Sequence, residues 1–155
     1  MKRRERGTTF VEVLAVAAIV AILAAAILPL SRLTRQRQKE IELRRTLREI
    51  RSAVDRYKDG VDRGLIGGTD VKLGSEGYPE SLETLVEGVN QVGRPGFKLK
   101  FMRRIPNDPF TGKPEWGMRC YQDDPDSTSW CGDNVYDVYS EVEGTALDGT
   151  KLKDW

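Results

Sequence analysis

From Val13 to Leu30 the chain carries no charged side chain, and with Phe10 and Val11 this apolar stretch is long enough to cross a bilayer as a helix. Before it stands a short basic leader, Met1-Lys-Arg-Arg-Glu-Arg-Gly7, followed by Thr8-Thr9-Phe10-Val11-Glu12. Glu12 is the anomaly. An acid at membrane depth costs roughly 2.5–3.5 kcal/mol on insertion scales, so this carboxylate is expected to be kept because something pairs with it. An ordinary secretory signal would also have a basic start and an apolar core, with Ala24-Ala25-Ala26 as a cut site. Glu12 interrupts the front of such a core, however, and the run continues past those alanines. A plain single-span anchor accounts for the hydrophobicity but gives no reason for the placing of Gly7, Glu12 and Pro29. Lys2, Arg3, Arg4 and Arg6 favour a cytoplasmic amino end, although the segment after Leu30 is basic as well.

Gly7 followed by Thr8-Thr9-Phe10-Val11-Glu12, an apolar run and Pro29 resembles the class III signal of type IV pilins and type II secretion pseudopilins. The resemblance implies cleavage after Gly7 by a prepilin peptidase, methylation of the new amino terminus at Thr8, and a glutamate at the fifth mature position, which is Glu12. It also implies a helix-loosening proline at Pro29. The departure is Thr8 itself, since the family usually begins its mature chain with Phe or Met.

Removing the anchor leaves about 125 residues, enough for one compact domain. The formal net charge of +1 conceals a strong polarity. Residues 31–58 carry ten basic and four acidic side chains, whereas residues 59–155 carry eleven basic and eighteen acidic. A basic stalk and an acidic head offer opposite surfaces that can meet between staggered copies, or the basic segment can touch anionic headgroups. Nucleic-acid binding is not expected, because the head is acidic and aromatics do not interleave with the basic residues.

The helix is expected to continue out of the membrane. Leu43, Leu47, Ile50, Val54 and Tyr57 alternate spacings of four and three, which places them on one helical face with Leu33. Asp59-Gly60 reads as its stop, giving one helix over 9–58. Pro29 lacks an amide hydrogen and weakens the helix around Ala24–Leu30. A glycine-rich connector from Gly60 to Gly77 lacks the spacing of a phosphate cradle. A short helix around Glu80–Glu87 follows, capped by Ser81. Phe97–Phe101 and part of Val135–Tyr139 alternate as strands, with the turn-rich Ile105–Pro114 between them.

Tyr78-Pro79, Arg104-Ile-Pro-Asn-Asp-Pro109, Gly112-Lys-Pro114 and Tyr136-Asp-Val-Tyr-Ser140 are similar to the major pseudopilins of type II secretion. That likeness implies an α+β fold, with a long amino-terminal helix packed on a small antiparallel sheet of about three strands. The implied organisation is a leader at 1–7, a transmembrane and filament-core helix at 8–30, its amphipathic continuation at 31–58, and a periplasmic head at 59–155. The implied setting is the bacterial inner membrane, crossed once. The implied partners are the lipid bilayer before assembly, then further copies in a helical filament, other pseudopilins, the prepilin peptidase, and an inner-membrane assembly platform with its ATPase. A true type IV or competence pilin usually has a larger sheet and a disulfide-closed loop, and a solitary anchored binding domain would need no processing at Gly7.

Cys120 and Cys131 are the only cysteines. In an exported head they are expected to form one structural disulfide around a polar excursion. A metal site from two cysteines without a histidine is not expected, nor is a redox motif at this spacing. Major pseudopilins hold calcium in the loop after the last strand, so the resemblance implies a calcium site to which Ser140 and Asp148 supply side-chain oxygens. Hard oxygen donors on a glycine-containing loop suit that ion. The loop departs from the family in carrying Glu141, Glu143 and Lys151 and fewer aspartates. No catalytic constellation is expected, since the chain has no histidine and no supported carboxylate pair.

Overall fold

The computed structural model describes residues 9–155, with the backbone alone between residues 25 and 31. The fold is α+β, in the order α1 (Phe10–Asp62), α2 (Leu82–Glu87), β1 (Val89–Asn90), β2 (Lys98–Leu99), β3 (Gly117–Arg119) and β4 (Asp137–Tyr139). Two compact units meet in sequence between Gln38 and Lys39.

Within the second unit the predicted stripe of α1 is the spine of the core. Leu43, Leu47, Ile50, Val54 and Tyr57 are at most 1 % exposed and pack in one cluster with Leu85, Val89, Val135 and Val138. Burying an aliphatic side chain of this size contributes about 1.5–3 kcal/mol, so this face holds the unit together. The Tyr57 ring meets Phe101 edge-on, and its hydroxyl donates to the Asp70 carbonyl at 2.9 Å. Burial pushes the Tyr57 hydroxyl above its ordinary pKa, with the Asp70 and Glu80 charges adding to the effect.

The helix runs past the expected stop at Asp59-Gly60. It ends in a Schellman turn, in which the Leu65 amide reaches the Gly60 carbonyl at 2.9 Å and the Gly64 amide reaches Val61 at 2.9 Å. Gly64, at φ 69°, supplies the left-handed residue that this turn needs. Gly60 serves another purpose: a Cβ there would sit 2.9 Å from the Ile66 side chain, so its smallness admits the chain folding back. Ser81 does occupy the N-cap position of α2 with extended backbone, but it makes no capping bond; its hydroxyl lies 3.4 Å from that of Thr84.

The strands are shorter and more divided than one sheet of three. β1 and β2 pair antiparallel with Val89 opposite Leu99, and β3 and β4 pair antiparallel with Met118 opposite Val138. Two features keep the ladders apart. The amides of Phe101 and Met102 both turn to the Leu85 carbonyl at 2.9 and 3.0 Å, which stops β2 after two residues. Beyond it, Pro106, Pro109 and Pro114 lack the amides a ladder requires.

Candidate functional site

The amino-terminal end of α1 carries most of the residues singled out by the sequence. Gly7 and Thr8 lie outside the described residues, as does the side chain of Pro29. Thr9 occupies the N-cap position, and its hydroxyl accepts from the Glu12 amide at 3.4 Å, while the Thr9 carbonyl takes the same amide at 3.0 Å. Thr9-x-x-Glu12 is therefore the sequence of a capping box, in which a glutamate at the third helical position favours the helix start. Its charge also lies at the positive end of the helix dipole. The spacing of threonine and glutamate was available in the sequence, yet this local role went unread there. From Val13 to Ala24 the side chains that α1 presents are apolar and outward. Val13, Leu14, Ile19 and Leu23 are each between 53 and 61 % exposed.

A second constellation forms where the carboxyl-terminal loop meets α1 inside the second unit. Arg44 donates to Asp148 Oδ2 at 2.7 Å, and its guanidinium stacks 4.0 Å from the centre of the Trp155 ring. The Trp155 indole donates to the Thr150 hydroxyl at 2.7 Å, which in turn donates to Asp148 Oδ1 at 2.6 Å. These four side chains close a ring. One turn earlier Glu40 accepts from the Leu147 amide at 2.9 Å, and two turns later Arg51 donates to the Trp155 carbonyl at 2.5 Å and to Asp137 at 2.6 Å. The hydrogen bonds from Thr150, reinforced by Arg44, hold the Asp148 carboxyl below its ordinary pKa.

This geometry bears on the expected calcium site. The Ser140 hydroxyl is buried and donates to Asp108 Oδ2 at 2.6 Å, and Asp108 is itself fully buried, its other oxygen held by the Phe110 amide at 2.7 Å. Asp148 belongs to a separate set of contacts, with one oxygen on a guanidinium and the other on Thr150. Ser140 and Asp148 are thus engaged in separate contacts, and Asp148 is paired with Arg44 across a half-exposed surface. The pair as placed does not fit a calcium shell. Asp108 was singled out in the sequence only as part of the Arg104–Pro109 turn, and its structural role went unread there. It ties the Ile105–Pro114 turn to the end of β4, and its position between two prolines was the available signal.

Cys120 and Cys131 are joined, with Cα atoms 5.9 Å apart. Asp123 accepts from the Cys120 amide at 2.7 Å, so the group Cys120, Asp123 and Cys131 closes a turn and holds no thiolate. Beside it the rings of Tyr78, Tyr121 and Tyr136 pack at centroid distances of 5.1 to 5.7 Å.

Among the described residues no helix is long and apolar enough to cross a membrane; the expected span over 8–30 extends into residues whose side chains lie outside that description. Comparison with curated proteins and with solved structures found no match. Residues 2–28 match the prokaryotic N-terminal methylation motif, which is typical of type IV pilin-like proteins, structural subunits that a prepilin peptidase processes for filament assembly.

Proposed function

We propose that the chain is a structural subunit of a type II secretion pseudopilus, cleaved after Gly7 and polymerised from the inner membrane into a helical filament that helps export folded proteins. The observation that carries the filament-subunit part of this reading is the methylation motif over residues 2–28, with Glu12 five residues beyond Gly7; the motif is shared by pilins and pseudopilins alike. The outward apolar face of α1 after Glu12 supports it. Such a surface is unfavourable in water and suits lipid first and neighbouring helices later. The small ladders and the Arg104–Pro109 turn favour the pseudopilin. The disulfide favours a second reading, a type IV or competence pilin.

In this mechanism the work is mechanical. The leader is held on the cytoplasmic face, the chain crosses the membrane once, and the second unit stands in the periplasm. Cleavage creates a charged amino group at Thr8, where methylation is proposed. Glu12 of one copy pairs with that amino group on the next, and where water is scarce such a pair sets the axial register. Pro29, unable to donate, lets the surrounding helix loosen as copies pack. The assembly platform and its ATPase draw subunits from the bilayer, and other pseudopilins join the same filament. No step needs the calcium expected at Ser140 and Asp148.

Two substitutions separate the charge of Glu12 from its place in the capping box. Glu12→Gln keeps the capping chemistry, because glutamine serves at that position, whereas Glu12→Ala removes both. Both variants are expected to be cleaved at Gly7 and to yield no filaments by electron microscopy. Normal filaments from Glu12→Gln would reduce Glu12 to a helix-start residue and end the register pairing. Amino-terminal sequencing of native membranes tests the rest: peptidase-dependent chains starting at Thr8 are expected, and an intact Met1 would remove the filament reading.

A further inference from the structure

Two surfaces of the second unit combine apolar side chains with opposite charge. The first is a ridge on α1. Ile41, Arg45 and Arg48 recur at spacings of four and three, so they share the helical face turned away from Leu43, Leu47 and Ile50. Ile41 is 59 % exposed, and both arginines are exposed without an ion pair among the described residues. Glu42 and Glu49 lie to one flank of this ridge. Because the opposite face of the same helix is committed to the core, the ridge cannot turn inward within its own chain.

The second surface is a cleft of about 320 Å³ between α2, the Ile105–Pro114 turn and β3. Ile105, Trp116 and Met118 give it an apolar lining, and Glu83, Glu115 and Glu141 line it as well. All three glutamates are exposed. The basic group beside them, Lys113, reaches Glu115 at 3.6 Å between two largely solvated side chains, a contact worth little. Trp116 is anchored by its indole to the Pro106 carbonyl at 2.9 Å, so the floor is rigid.

We infer that this cleft receives the Ile41–Arg45–Arg48 ridge of a second copy of the chain. The inference rests on the filament reading and names the face through which copies meet. An apolar lining alone would accept many occupants, but three carboxylates repel an anionic headgroup and select a cationic surface that also carries an exposed apolar side chain. The outer face of α1 is such a surface. The wider charge distribution acts in the same direction, since the ridge lies in the segment with ten basic and four acidic residues and the cleft in the segment with eleven and eighteen. Seating Ile41 removes an exposed aliphatic side chain from water, and opposite fields steer the copies into register.

The test uses the full-length chain in membranes where it assembles, with p-benzoylphenylalanine in place of Ile41 and a mixture of isotope-labelled and unlabelled copies. Irradiation is expected to join position 41 of one copy to the Ile105–Met118 peptide of another. Glu83→Arg with Glu115→Arg should reduce that adduct at least about fivefold, the scale of a few exposed ion pairs. Adding Arg45→Glu with Arg48→Glu should restore it. These four positions are exposed, so far-UV spectra of the variants should match the wild type. Filaments whose adducts fall on another surface, or on a different protein, would overturn the cleft while leaving the filament reading standing. Absence of both filaments and inter-copy adducts would overturn both.

Discussion

The two halves of α1 are built from the same aliphatic residues and treat them oppositely. Val11, Leu14, Ile19 and Leu23 stand between 53 and 73 % exposed, whereas Leu43, Leu47, Ile50 and Val54 are at most 1 % exposed. The difference lies in the polar residues around them. In the first half almost nothing polar interrupts the apolar positions, so no single face can be chosen and the whole circumference asks for an apolar medium. In the second half charged side chains confine the apolar positions to one stripe, which a domain of ordinary size can cover. An identical side chain is thus left for an apolar partner in one half, which the proposed function identifies as lipid and then neighbouring copies, and is used for folding in the other.

The sharpest break in that comparison is a pair of truncations. Leu47→Ala is expected to lower stability by about 2–5 kcal/mol, read by chemical denaturation through tryptophan fluorescence. Ile19→Ala should shift the same curve by less than about 0.5 kcal/mol, yet weaken retention in membranes and assembly. Equal destabilisation by both would erase the distinction between the halves. Replacing Cys120 and Cys131 by serine should cost about 3 kcal/mol on a chain-entropy argument for a loop of this size, and should leave membrane retention unchanged. A loss of retention in that variant would tie the two halves together in a way the comparison denies.

The smallest effects belong to the carboxyl-terminal loop. Arg44→Gln should speed amide exchange at Leu147 and Thr150 and expose the tail to trypsin at Lys151, with little change in the global transition. Because the folded-state pKa of Asp148 lies below its ordinary 3.8, the contribution of this carboxylate is fully present above that value and is lost as pH falls through the lower folded one. Asp148→Asn should flatten this acid dependence of Trp155 fluorescence. Added calcium should leave the wild-type signal unchanged, and a calcium-dependent shift there would contradict Arg44 as the resident cation of the loop.

What the chain shows by itself is what depends on local spacing. The uncharged run, the interval from Gly7 to Glu12, the stripe from Leu43 to Tyr57 and the cysteine pair are all short-range patterns, and their physical meaning survives without coordinates. The same locality explains an error at the end of α1. Asp59-Gly60 looks like a stop, but Gly60 admits Ile66 and the left-handed residue comes at Gly64.

Contacts between distant residues were decided by the tertiary structure alone. Arg44 meets Asp148 and Arg51 meets the Trp155 carbonyl across 104 residues each, and Ser140 meets Asp108 across 32. An exposed arginine on a helix has many possible partners, and only the path of the later chain chooses among them. The same path spent the Phe101 and Met102 amides on Leu85 and so divided one expected sheet into two ladders. Periodicity tells which face of α1 is buried; the return of the carboxyl-terminal loop to that helix is a long-range closure, and no window of sequence contains it.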